Sequence, residues 1–228
     1  MSTVRGQSNS QRSPMRRRAF LALTLGVVLA SIGPKAAAQL TEGKNYFRLK
    51  SPVQVESGKK IEVIEFFSYG CPHCGEFEPL LHDWVKKLPP DVQFRRVPVS
   101  FQPKWVPLAK EYYTLEALGE DSRLSPEVFV AIHSKGVKLE DEKTFFDWAA
   151  SHGLDRKKVE EMYNSFSMSG KMNRALQQAK AFNAQQVPLI VIDGKYVVST
   201  NENVRSHAAM LPVMDALIVK ARAERPKG

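Results

Sequence analysis

From Lys59 the chain reads KKIEVIEFFSY, an apolar, β-branched and aromatic run broken by Glu62 and Glu65. Such a run ending at a glycine, Gly70, predicts a buried strand. Strand alternation puts Val63, Glu65 and Phe67 on one face and Ile64 and Phe66 on the other. Ahead of it, NYFRLKSPVQV has room for one edge strand. Behind it, Phe77, Leu80, Leu81, Trp84 and Leu88 recur at helical spacing. Pro72 suits the first turn of that helix, where its missing N–H is not needed, and Pro79 should kink it. Pro89-Pro90 stops it, and Asp91–Phe101 reads as a second central strand carrying Val92, Phe94 and Val97. Strand, helix, strand predicts a parallel pair with a right-handed crossover.

The rhythm then changes. From residue 102 to 168 the strand runs disappear and helical patterns take over. Ser125-Pro126-Glu127 reads as a cap with proline at the first helical position, Asp141 or Thr144 opens another helix, and Gly119, Gly136 and Gly153 act as stops. Ser169–Gln186 predicts one helix. Val187–Ser199 predicts two strands joined by Asp193-Gly194, a strong hairpin signal. Residues 207–224 form a last amphipathic helix with Pro212 near its start. The reading is therefore α/β with an inserted helical block: β-α-β in 39–101, helices in 102–168, and α-β-β-α in 169–228.

Charge enters the picture mainly at the front. The formal charge is +9, but residues 1–38 hold six basic residues and no acidic ones. Without them 27 basic residues face 24 acidic ones, so no basic stripe is left to suggest a nucleic-acid partner. Arg16-Arg17-Arg18, the apolar AFLALTLGVVLASI and the small Ala36-Ala37-Ala38 have the layout of a signal peptide cleaved near Ala38. The apolar run is shorter than the roughly 20 residues a spanning helix needs. RRAFL also has twin-arginine character, and Met15 is a second possible start. The mature chain is expected in an oxidising compartment, where cysteines are paired or do redox chemistry.

The chain has two cysteines, Cys71 and Cys74, in FFSYGCPHCGEF. A structural bridge over so short a loop would remove little chain entropy. Structural zinc wants four ligands, and no second cysteine pair exists; His82, His133, His152 and His207 are scattered. Inert buried thiols are a third option. A redox dithiol is the fourth, and it fits a C-x-x-C beside a βαβ pattern. At a strand-to-helix junction, free backbone N–H groups and the helix dipole stabilise a thiolate. Pro72-His73 between the cysteines, with His73 as a nearby donor or cation, argues for an oxidising couple. His73 could equally be a solvated helix-start residue. Cys71 is expected to be the exposed attacker and Cys74 the shielded partner.

EFFSYGCPHCGEFEPLLHDWVKKLP followed by VPLIVIDGKYVVS resembles the DsbA family of periplasmic thiol:disulfide oxidoreductases, over nearly all of the mature chain. The resemblance implies a thioredoxin-like fold with an inserted helical domain. It implies that Cys71 is the nucleophile, Cys74 the resolving thiol and His73 the thiolate stabiliser, with Pro72 beside it. It makes Pro188 a cis-proline facing the dithiol, preceded by Val187, whose backbone would pair with an extended peptide; otherwise Pro188 is an ordinary strand-start proline. The family carries a buried acid before its first cysteine and a base on the next strand, positions held here by Glu65 and Arg96. Relatives more often have lysine there, and a guanidinium stays charged, so a proton-shuttling base is in doubt. Glu65 is either a modulator of Cys74 or a strand acid that reaches water. Many relatives have an aromatic where Gly70 stands, which suggests a flatter surface here. Trp105, Tyr112, Tyr113, Phe145, Phe146 and Trp148 are expected as core.

The expectation is a monomeric, cofactor-free and metal-free donor of disulfides to reduced, unfolded secreted polypeptides, recharged by a quinone-linked membrane oxidase of the DsbB type. The rivals are a reductase or isomerase in the same compartment, whose members often carry a dimerisation domain and a threonine before the cis-proline, and a non-catalytic peptide-binding chaperone.

Overall fold

The computed structural model describes residues 40–225. The expected leader, its cleavage near Ala38 and the second start at Met15 lie outside the described residues. Strand β2 (Ile61–Phe67) is buried at every position, because layers of helix cover both faces of the sheet around it. It pairs in parallel with β3 (Val92–Pro98), Glu65 standing opposite Arg96. On its other side it pairs antiparallel with β4 (Leu189–Ile192), which pairs in turn with β5 (Tyr196–Val198). The two-residue β1 (Phe47–Arg48) closes the sheet in the order β1-β5-β4-β2-β3. The order corrects one expectation: β3 is an edge strand, not a second central one. Its burial shows why, since Gln93 is exposed and Phe94 and Arg95 are only half-buried, as an unflanked edge permits. At the β4–β5 turn, Asp193 and Gly194 take φ of 52° and 64°, and Val53 O lies against the Gly194 Cα, so a side chain there would strike backbone.

Helix α1 (Pro72–Val85) begins with Pro72 in its first turn, as its fixed φ favours. Its inward face is Cys74, Phe77, Glu78, Leu81 and Trp84, while Leu80 is 40% exposed. The apolar spacing therefore misplaced Leu80 and passed over a buried glutamate. The inserted helices are α2 (Trp105–Ala117), α3 (Asp121–Phe129), a π-helical turn at Val130–Ser134, α4 (Glu142–Ser151) and α5 (Arg156–Tyr163). Gly119, Gly136 and Gly153 all have positive φ and end helices. Asp141 caps α4 by accepting from Thr144 N at 2.8 Å. The Ser125-Pro126 expectation fails: α3 starts at Asp121 and Pro126 lies inside it. One helical hydrogen bond is forfeited there, but Leu124, Val128 and Phe129 are buried on the same helix and hold it in place.

Helix α6 (Phe166–Ala181) returns the chain to the sheet three residues earlier than Ser169 and ends before Gln186, and α7 (His207–Glu224) closes the chain. The sheet separates two apolar cores. Ile64 and Phe66 join the insertion, including Tyr112, Phe129 and Phe145, together with Phe182. Val63 and Ile192 join Phe77 and Leu81 of α1 and Met214 and Leu217 of α7. The six expected insertion aromatics are all buried. The arrangement is a thioredoxin-like sheet with a helical domain inserted after β3, and both cysteines sit where the sheet, α1 and the insertion meet.

Candidate active site

Cys71 leaves β2 in an extended conformation (φ −94°, ψ 115°) and caps α1. Its carbonyl accepts from Cys74 N at 3.1 Å and Gly75 N at 3.2 Å. Its sulfur faces the backbone N–H groups of His73 and Cys74 and the Cys74 thiol. That thiol donates to it, and this is the first cause that lowers the Cys71 thiol to about 6. Burial opposes the shift; the two N–H groups and then the His73 charge assist it. Burial, the hydrogen bond with Cys71 and the nearby Glu65 charge push Cys74 well up. One sulfur is thus poised to ionise and the other is held protonated. Both carry free thiols.

Cys71 was expected to be exposed. It is only 6% exposed, against 0% for Cys74. The order is as expected, and the Val187 carbonyl lies against the Cys71 sulfur. The Cys71 thiol donates to Val187 O at 3.6 Å, and the Val187-Pro188 bond is cis. The His73 side chain is 71% exposed, and its Nδ1 lies 3.1 Å from Glu76 Oε2. The Glu76 carboxylate raises the His73 pKa, and the Cys71 thiolate adds to the effect.

Behind Cys74 lies a buried charge cluster. Arg96 Nε donates to Glu65 Oε2 at 2.7 Å, and its terminal amino group donates to Glu78 Oε2. Glu65 is 1% exposed, which excludes an acid that reaches water. Burial raises the proton affinity of both carboxyls more than Arg96 lowers it, and Glu78 is pushed up to about 7. Glu78 Oε1 has no partner among the described residues. The sequence reading missed Glu78, although it lies four residues beyond Cys74 on the same helix face.

At Gly70 a side chain would collide with the indole of Trp105, with Cδ1 at 2.6 Å. The insertion thus supplies the aromatic that the strand lacks. It also grips the loop before Cys71, since His133 Nε2 bonds Tyr69 O at 2.7 Å and Tyr69 Oη meets Ser125 Oγ at 2.7 Å. Neither contact had a sequence signal. Among the described residues no three His, Cys, Asp or Glu side chains cluster as a metal would need.

The thiol pair suggests a direct check. Cys71 alkylation in the reduced protein should follow a midpoint near pH 6. Cys74→Ser keeps a donor and should hold that midpoint, whereas Cys74→Ala should raise it by about one to two pH units, the worth of one hydrogen bond to a charged group. Equal midpoints in the two variants would assign the depression to the helix terminus alone.

A thioredoxin-like fold with a vicinal thiol pair at a helix start, one thiol acidified and facing a cis-proline loop, defines a thiol:disulfide oxidoreductase. Comparison with known proteins gives the family. A sequence model described as a DSBA-like thioredoxin domain matches residues 106–210. The chain is 38% identical over 209 residues to the thiol:disulfide interchange protein DsbA of Bordetella parapertussis, covering 91% of this chain and 100% of that one. It is 39% identical over 209 residues to DsbA of Pseudomonas aeruginosa, covering 91% and 99%. The crystal structure of Pseudomonas aeruginosa DsbA superposes with a TM-score of 0.77 at 40% identity, covering 81% of this chain and 95% of that one. The chain belongs to the DsbA family, and it acts on proteins by thiol-disulfide exchange.

Proposed function

We propose that this chain is an exported, monomeric disulfide donor of the periplasm, with Cys71 as the attacked sulfur and Cys74 as the resolving one. The observation that carries the direction is the contrast between the two thiols, Cys71 lowered to about 6 and Cys74 pushed well up. Stabilising the Cys71 thiolate stabilises the reduced protein, so the disulfide form draws electrons. Each 1.4 kcal/mol of such stabilisation moves the two-electron potential by about 30 mV.

In the oxidised enzyme a substrate thiolate attacks Cys71 Sγ. The Cys71–Cys74 bond breaks, Cys74 leaves with the electron pair and takes up a proton, and a mixed disulfide joins Cys71 to the substrate. A second substrate thiolate then attacks the substrate sulfur of that bond, and Cys71 leaves as a thiolate, a good leaving group because its conjugate thiol is acidic. The substrate loses two electrons and two protons; Cys74 holds one proton, the other goes to solvent, and the enzyme ends reduced, with Cys71 as the thiolate. Val187 would bind the extended substrate through its backbone beside Pro188, and Pro72 and His73 would tune the thiolate together with the helix terminus. Glu65 and Arg96 would act on Cys74 from behind, and Arg96 stays charged, so a proton leaving Cys74 would be shared between Glu65 and Glu78. A quinone-linked membrane oxidase of the DsbB type would reoxidise the dithiol, and no cofactor is required of the chain itself.

The test is the equilibrium of the Cys71–Cys74 couple against glutathione, read by tryptophan fluorescence of the mature protein. The dithiol should persist in a largely oxidised buffer. A disulfide that survives until the buffer is strongly reducing would make the protein a reductase. Retention of all activity, as suppression of aggregation alone, by Cys71→Ala would make it a chaperone.

A further inference from the structure

A second feature adjoins the Val187-Pro188 turn. Beyond Val187 and Pro188 opens a cavity of about 600 Å³, walled on one side by His73 and Glu76 of α1 and on the other by Arg205 and His207. A groove beside a thiol that takes unfolded chains is served by apolar walls, yet four of these side chains are ionisable. Glu76, the one acid among them, is already engaged by His73 at 3.1 Å, and that pairing lowers its pKa. Arg205 is differently placed. Its Nε donates to Glu202 O at 2.9 Å, which orients the guanidinium, and it makes no ion pair among the described residues. Glu202 does not line the cavity. His207 stands at the start of α7, its ring 6.3 Å from that of His73, and burial lowers its pKa, so it favours the neutral imidazole. With Glu76 and His73 paired to each other, the groove beside Val187 and Pro188 is left with one guanidinium whose terminal amino groups have unused donors.

We infer that this groove selects substrate segments carrying a carboxylate side chain within two residues of the reacting cysteine, with Arg205 as the residue that reads it. The inference rests on the proposed role of Cys71. The carboxylate pairs with the terminal amino groups of Arg205 as the substrate lies along Val187, which brings the substrate thiolate to Cys71 Sγ more often. An exposed ion pair of this kind acts mainly on the rate of productive encounter and weakens with salt. Its size is modest, and about threefold in rate is the expected scale.

The experiment uses the mature, oxidised protein and a set of unstructured dithiol peptides with Asp, Asn or Lys placed at each of the two residues on either side of one cysteine. Second-order oxidation rates are measured at about 0.05 M and 0.5 M salt, between which the Debye length falls from about 14 Å to about 4 Å. At one or more positions Asp should exceed Asn by about threefold and Lys should fall below it. The spread should shrink at high salt, and in Arg205→Gln the Asp-to-Asn ratio should approach one. Equal rates for Asp, Asn and Lys at every position would overturn the inference while leaving disulfide donation intact. A preference that survives in Arg205→Gln would also overturn it. Failure to oxidise any peptide would overturn the reading on which it rests.

Discussion

Arg96→Met is expected to cost about 3–5 kcal/mol of stability at pH 7.5, the usual penalty for removing one partner of a buried ion cluster. The reason lies in what is left behind. Glu65 and Glu78 are 1% and 2% exposed, both lean on the same guanidinium, and Glu78 Oε1 already lacks a partner. Without Arg96, two buried carboxylates face each other with nothing to balance them. They can escape by taking up protons, which sets the pH dependence. A carboxyl whose folded pKa lies above its unfolded value contributes fully below the unfolded pKa, and the contribution is lost as pH rises through the folded value. Urea unfolding should therefore show a large loss at pH 7.5 and a much smaller one at pH 5. A triple change that also makes Glu65 and Glu78 apolar should recover most of the stability, since buried ion clusters are often no better than well-packed apolar groups. A uniform loss at both pH values would mean that Arg96 acts through packing, for instance against the rings of Phe67 and Phe94 at 5.5 Å, and not through charge.

The second large effect is expected far from the thiols. Glu111 of α2 is fully buried in the inserted helical domain, and neither of its carboxyl oxygens has a partner among the described residues. Burial pushes its pKa well above the carboxylate range, with Glu140 adding to the shift. The side chain is thus folded as the neutral acid. On unfolding above about pH 4.5 it releases its proton, so the folded state binds more protons and loses stability as pH rises. Glu111→Gln should be close to neutral at pH 4 and stabilising by about 1–3 kcal/mol at pH 8, the scale of an uncompensated buried polar group. The measurement is the difference in unfolding free energy between variant and parent across that range. A flat difference would show that Glu111 finds a compensating partner in solution.

Glu111 illustrates what pattern reading leaves out. In KEYYTLEA it looks like an ordinary helix-surface acid, and only the packing of α2 shows which face turns inward. Glu78 is a similar case: the apolar spacing of Phe77, Leu81 and Trp84 was legible, but it put Leu80 on the same face and carried no sign that Glu78 turns inward. Asp91–Phe101 was legible as a strand because its content is local. Its place at the edge was not, because sheet order depends on where β4 returns, about 90 residues later in the chain. Ser125-Pro126 carried a strong start signal that tertiary burial overrode.

The local chemistry came from the chain itself. Two cysteines with two residues between them, a proline at the helix start and a β-branched run before them place a thiol at a helix terminus, because strand, turn and first-turn preferences act over a few residues. The Asp193-Gly194 hairpin and the helical character of the insertion are of the same kind. Tertiary structure alone decided that Trp105 fills the space over Gly70, that His133 and Ser125 hold Tyr69, and that Arg96 serves Glu78 as well as Glu65. These depend on groups separated by tens of residues whose meeting is set by packing, and no local propensity encodes a distance between them.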